Sequence, residues 1–358
     1  MAFRSQEQQA GDNSVQYQVT GTLVVHQGLS EDGAREIARQ TARQAIEAFH
    51  EEALATANER FGELENRVLA LMGEREQFEA FRDPAFQVAL RTAQISAAST
   101  ERASDYDLLA GLISDHAARG NERKVRAGLS RAIEIVGDLD AAALRGLTLF
   151  AAVEQYTPLS GDCLEGLGVI NGLYGDLMVE SAPPTGAEWI EHLDVLDAVR
   201  ISSIGNFRKF REYYPGKTPG YVCKGVMEGS EELSDVASEL LGVGLSIQLV
   251  PHALKPGWLR APLARSADLE QRLTGRRLTA QHLASATATL RNRTGIDDID
   301  PELIDGFMGY VDEFPHITTV RDWWDQLQPS FSLTPVGRVL ARANALRLDS
   351  RGVLPPID

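Results

Sequence analysis

The chain has 358 residues, with 51 acidic side chains against 35 lysines and arginines, and a formal net charge of −16 at pH 7. A length of this order predicts two to three structural units. The negative balance argues against a surface that is basic throughout for nucleic acid. Two cysteines, Cys163 and Cys223, are too few for a disulfide framework or a four-thiolate metal site.

A short β segment is predicted near the N-terminus, after a polar tail. Apolar residues alternate on both sides of Gly21, which predicts two short strands joined by a turn. A lone two-stranded hairpin is marginal in water, so its apolar face needs cover from a distant part of the chain or from other subunits. The candidate oligomerisation residues are therefore Val15, Tyr17, Val19, Leu23 and Val25.

A long helix is predicted to follow, with Ser30 as its N-cap. Apolar or small residues recur every three or four positions, which predicts one stripe along the helix. The stripe consists of Ile37, Thr41, Ala45, Phe49, Ala53, Ala57, Phe61, Leu64, Val68 and Leu71. Gly62 is expected to bend or break the helix. A stripe of this length is typical of packing against another long helix, within or between chains.

The rest of the first half is predicted to be a helical bundle. Asp83-Pro84 opens one helix, and further helices are expected over 105–116, 121–135 and 141–156. Near the C-terminus, the strand Phe331–Leu333 is expected to feed a helix capped by Thr334, as in the end of a winged-helix unit. The fold class is thus mainly α. The predicted divisions are 1–30 (tail and β segment), 31–156 (long helix and bundle), 157–220 (helical connector) and 221–358 (helical domain with a winged-helix-like end).

The charge is unevenly distributed. Residues 1–200 contain 32 acids and 17 bases, whereas residues 201–358 contain 19 acids and 18 bases, and eight of these bases lie between Lys255 and Arg293. This basic stretch is interpreted as a polyanion site, as a contact for the acidic half of the same or a neighbouring chain, or as a solvated helix face. The candidate polyanion-binding residues are Arg272, Arg276, Arg277, Arg291 and Arg293.

Local enzyme and metal signatures are incomplete. Gly216-Lys217-Thr218 resembles the end of a phosphate-binding loop, but Arg211 stands where that motif needs glycine. The acidic run after Asp297 has Leu303 where a calcium loop counted from Asp298 needs glycine. The chain has neither a metalloprotease helix motif nor a nucleophile-elbow motif. No catalytic, cofactor-binding or metal residue and no cofactor is predicted, although a dispersed active site stays open.

Both ends of the chain resemble an uncharacterised family of bacterial proteins. The resemblance rests on Gly11-Asp12-Asn13-Ser14, Gly28-Leu29-Ser30 and the helix start Ala34–Ala38, and on Leu333-Thr334-Pro335-Val336-Gly337 at the other end. The last motif is also similar to the tail of some abortive-infection proteins. The resemblance implies a lineage and a phage-defence setting, without catalytic residues.

Three functions follow from these patterns. The first is a non-catalytic oligomerising interaction or sensor protein, in which the β segment stacks with copies of itself. The alternative is a winged-helix nucleic-acid-binding regulator, and the third is an enzyme with a dispersed site. The expected partners are copies of the same chain, with another protein next and nucleic acid less favoured. No run of 18 apolar residues exists to span a membrane, so a cytoplasmic location is predicted.

Overall fold

A computed structural model describes residues 31–202, 204–273 and 279–355 of the chain. Its architecture is mainly α, as the sequence predicts. The helices are α1 (Glu31–Glu74), α2 (Pro84–Ser99), α3 (Ala103–Arg119), α4 (Arg123–Ile135), α5 (Ala141–Gln155), α6 (Cys163–Leu177), α7 (Glu188–Val195), α8 (Phe210–Tyr213), α9 (Glu231–Gly242), α10 (Leu269–Arg272), α11 (Ala280–Thr294), α12 (Ile304–Asp312), α13 (Pro315–Trp324) and α14 (Pro335–Leu348).

Five short strands form two small sheets. They are β1 (Val199–Ile201), β2 (Val226–Met227), β3 (Val250–Pro251), β4 (Trp258–Arg260) and β5 (Phe331–Leu333). Strand β1 pairs antiparallel with β5, and the other sheet has the order β2-β4-β3. The β segment predicted before Gly28 lies outside the described residues.

The chain divides into two compact units, Met1–Thr56 and Ala57–Asp358. The described part of the first unit belongs to α1. The expected break at Gly62 is wrong, because α1 runs without interruption to Glu74. A glycine inside a helix costs only about 1 kcal/mol relative to alanine. Leu64, Val68 and Met72 are buried within the second unit, and their packing offsets the cost of Gly62.

The predicted bundle helices α2 to α5 all form. Local capping explains where α2 and α5 begin and where α3 ends. The Asp83 carboxylate accepts a hydrogen bond from the Ala85 amide at 2.9 Å and begins α2. Asp140 accepts from Ala143 at 3.0 Å and begins α5, while α3 ends at Gly120. These helices bury the apolar faces that their 3.6-residue periodicity predicts.

The C-terminal strand and helix complete this bundle. As predicted, β5 feeds α14, and the Thr334 hydroxyl accepts a hydrogen bond from the Gly337 amide at 3.1 Å. Helix α14 packs against α3, α4 and α5, and buried Asn344 donates to Thr148 on α5 at 2.9 Å. Strand β5 pairs with β1, more than a hundred residues earlier. The final helix therefore belongs to the same core as the bundle, and the winged-helix comparison stays a prediction.

A second hydrophobic cluster lies within residues 226–296. It joins α9 and α11 to the three-stranded sheet. Beside it the fully buried Arg260 donates to the carbonyls of Ala261 at 3.0 Å and Gly220 at 3.2 Å, and also to that of Gly161. The Arg260 guanidinium lies 5.0 Å from the centre of the Tyr221 ring. This arginine therefore ties the end of β4 to the segments around Gly161 and Gly220.

Candidate functional site

The N-terminal segment of α1, residues 35–56, is the most exposed helical stretch in the described chain. Every side chain described within it is exposed. Three large apolar side chains lie in it, of which Ile46 and Phe49 are 66% and 67% exposed and Leu54 is 51% exposed. Exposed apolar side chains scattered singly are ordinary, whereas two on adjacent turns of one helix are typical of a contact surface.

Spacing places these side chains on one face. Ala42, Ile46, Phe49 and Ala53 follow one another at intervals of four, three and four residues, and we call this set the α1 stripe. Such alternation is the a/d pattern with which one helix packs along another. Phe49 and Ala53 belong to the stripe predicted from sequence, whereas Ile46 was missed there because that stripe advances by four residues at each step from Ile37 to Phe61. A heptad pattern, which alternates steps of three and four residues, includes Ile46.

A groove between α1, α3 and α14 is a second feature, and it lies wholly within the second unit. Its volume is about 340 Å³, and its charged lining combines three arginines with three carboxylates. These residues are Arg67, Arg75 and Arg347 with Glu74, Asp107 and Asp115. They come from three helices far apart in sequence, so no local motif points to the groove.

The three groove arginines all make ion pairs. Arg67 reaches Asp107 at 2.7 Å, and Arg347 reaches Glu180 at 3.2 Å. Arg75 donates to the Ser114 hydroxyl at 2.9 Å and lies 3.5 Å from the Asp115 carboxylate. Their charges are thus matched by carboxylates of the same chain, which makes the groove poorly suited to holding a strong anion.

Asp115 is the groove residue with the most perturbed chemistry. Its side chain is 7% exposed, and burial raises the pKa of its carboxyl to about 6, although nearby Arg75 and Arg342 oppose the rise. A carboxyl with such a pKa exchanges protons near neutral pH, as general acids and bases do. Among the described residues, no group of three His, Cys, Asp or Glu side chains is placed to hold a metal ion.

The predicted polyanion residues lie apart from both features. Arg272 closes α10 and donates to the Pro262 carbonyl at 2.6 Å. On α11, Arg291 pairs with Asp297 at 2.6 Å, and Arg293 pairs with Glu239 at 2.5 Å.

Arg276 and Arg277 lie outside the described residues. The three described arginines of this set all have local partners. Polyanion binding by this stretch stays a prediction, in which an incoming phosphate competes with the carboxylates that Arg291 and Arg293 already contact. Val15, Tyr17, Val19, Leu23 and Val25 also lie outside the described residues, and their role in oligomerisation stays a prediction too.

The closing Leu333–Gly337 motif has a structural explanation. Leu333 pairs with Val199 in the small sheet, and the Thr334 amide donates to the Ala198 carbonyl at 3.1 Å. A side chain at Gly337 would overlap the same carbonyl. The motif therefore fixes where α14 leaves the sheet, and each of its contacts is explained by folding.

Both cysteines are buried and free of disulfides. Burial raises the pKa of the Cys163 thiol to about 12 and also raises that of Cys223. A thiol is a nucleophile only as the thiolate, so these residues are chemically quiet at neutral pH.

Comparison with known proteins places the chain in a lineage. A family model whose description reads only ":-like" matches residues 28–351. The chain belongs to this family. The family match covers residues 35–56 and the Leu333–Gly337 motif, whereas the Gly11–Ser14 stretch precedes it. Its description carries no activity that would assign a role to the groove or to the α1 stripe. No curated protein and no solved structure matches the chain.

Among the helices that the structure describes, none is both long enough and apolar enough to cross a bilayer.

Proposed function

We propose that this protein is a non-catalytic interaction protein that self-associates through residues 35–56 of α1. The observation that carries the proposal is the α1 stripe, in which Ile46 and Phe49 are about two-thirds exposed on one helix face. Most helical stability in proteins comes from packing of an apolar face. A partner on the stripe supplies that packing.

The groove supports the same choice over an enzyme. Its three arginines are paired with carboxylates of the chain itself, and its perturbed carboxyl, Asp115, lies 3.5 Å from the guanidinium of Arg75. The local pairing of Arg291 and Arg293 likewise gives less support to the nucleic-acid regulator than to self-association. The resemblance to abortive-infection tails supports a setting in bacterial anti-phage defence, with a cytoplasmic location.

Light scattering on the full chain tests the proposal. The wild type is expected to have a mass above that of the 39.1 kDa monomer, and a variant combining Ile46→Ser with Phe49→Ser is expected to be monomeric. A matched control combines Val195→Ser with Ile204→Ser, which removes two apolar groups that are more exposed still and lie elsewhere. A double variant at 46 and 49 that keeps the wild-type mass would contradict the proposal.

A further inference from the structure

A cavity of about 430 Å³ lies where the loop after α5, helix α6, the segment after β4 and the C-terminal segment meet. Most of its lining residues are apolar, and three of them are exposed: Leu159, Val169 and Val353 are 47%, 38% and 40% exposed. The rest of the apolar wall consists of Pro158, Ile170, Leu173, Leu354 and Pro355. Sites for small molecules are typically concave, of this size and mainly apolar, with a few polar groups that orient the ligand.

Arg265 supplies the charge in this cavity. Among the described lining residues it alone is charged at neutral pH. The buried Asp268 carboxylate accepts hydrogen bonds from its Nη2 at 2.6 Å and from its Nε at 3.1 Å, and this pairing fixes the guanidinium in one orientation. The third nitrogen, Nη1, makes no hydrogen bond to any residue that the structure describes. It is therefore left to bind an acceptor from outside the chain.

Lys217 adds a second cation near Arg265. Burial and the charge of Arg265 both lower the pKa of the Lys217 ammonium, although the Glu154 carboxylate opposes them. The ammonium donates to the backbone carbonyl of Glu154. Two cations that disfavour each other in this way are both stabilised when an anion binds close to them.

Other carboxylates around the cavity already accept hydrogen bonds from the protein. Glu165 accepts from the Ser160 hydroxyl at 2.6 Å, and Asp349 accepts from the Leu354 amide at 2.7 Å. Neither residue lines the cavity. An incoming anion therefore meets an arginine and apolar groups, without a carboxylate on the wall to repel it.

We propose that this cavity binds a small monocarboxylate with an aliphatic chain, whose carboxylate accepts from Nη1 of Arg265 while the chain lies along the apolar wall. At about 30 Å³ for each water-sized group, the cavity has room for about fourteen non-hydrogen atoms, so a carboxylate of about ten carbons fits. The inference goes beyond the proposed function, because neither residues 35–56 nor self-association enters it.

Isothermal titration calorimetry of the full chain with decanoate tests the charge requirement, with decanol as the uncharged analogue. We expect one decanoate to bind per chain. Decanol is expected to bind at least about tenfold more weakly, because it lacks the charge-assisted hydrogen bond to Arg265. No decanoate binding by the wild type, or equal affinities for decanoate and decanol, would overturn the inference.

A pair of matched variants tests the location. Val169→Asp places a carboxylate on the cavity wall at an exposed position of α6, and it is expected to weaken decanoate binding at least about tenfold by repulsion and by the loss of apolar contact. Val179→Asp adds the same charge at a valine that is 71% exposed and lies outside the cavity lining, and it should bind decanoate as the wild type does. Equal affinities of the two variants would place the ligand elsewhere and overturn the inference.

Discussion

Replacing Asp115 by Asn is expected to change how the stability of the protein depends on pH. The folded pKa of this carboxyl is raised from 3.8 to about 6 by burial. At about 1.4 kcal/mol for each pH unit, the rise corresponds to about 3 kcal/mol. Because the folded state favours the protonated acid, the protonated form of Asp115 stabilises the fold relative to the ionised form. This stabilisation is complete below pH 3.8 and is lost as pH rises through about 6.

The asparagine variant has no proton to lose at this position. Its free energy of unfolding minus that of the wild type should therefore increase by about 2.5 kcal/mol between about pH 4 and about pH 7.5. Urea unfolding at several pH values measures this difference. Ser114→Ala is the control, because Ser114 also contacts Arg75 but does not titrate, so its effect should be independent of pH. A difference between Asp115→Asn and wild type that stays flat or falls with pH would show that burial does not raise the pKa of Asp115.

Three further outcomes are expected. Thr334→Ala should lower the free energy of unfolding by about 1 kcal/mol, since it removes the N-cap of α14; an unchanged urea midpoint would contradict this. Arg260→Met should lower the free energy of unfolding by about 3 kcal/mol in the same measurement, because several buried carbonyls lose their donor. A variant more stable than the wild type would contradict this and show that desolvation of the charge outweighs its hydrogen bonds. Cys163 and Cys223 should react with a thiol reagent only in denaturant, so rapid labelling of the native protein would contradict their burial.

Elements with local signals were predictable from the sequence. Asp83 and Asp140 cap their helices because a short carboxylate side chain reaches backbone amides two or three residues ahead. The strand-to-helix transition at Thr334 follows from the same physics. Gly62 was misjudged because a local propensity of about 1 kcal/mol is weaker than packing.

The groove could not be predicted, because its residues meet only in the folded chain. Arg75 and Asp115 are separated by 40 residues, and Arg347 joins them from the last helix. The pKa of Asp115 depends on the burial that this meeting produces. The spacing of the α1 stripe can be predicted from the local sequence, whereas the exposure of its side chains depends on the fold.

Sedimentation equilibrium of the full-length wild type over a concentration series tests self-association most directly. We expect an average mass that rises with concentration above the 39.1 kDa of one chain, and a return to that mass when Ile46 and Phe49 are both replaced by serine. A wild-type mass of one chain at every concentration would contradict it.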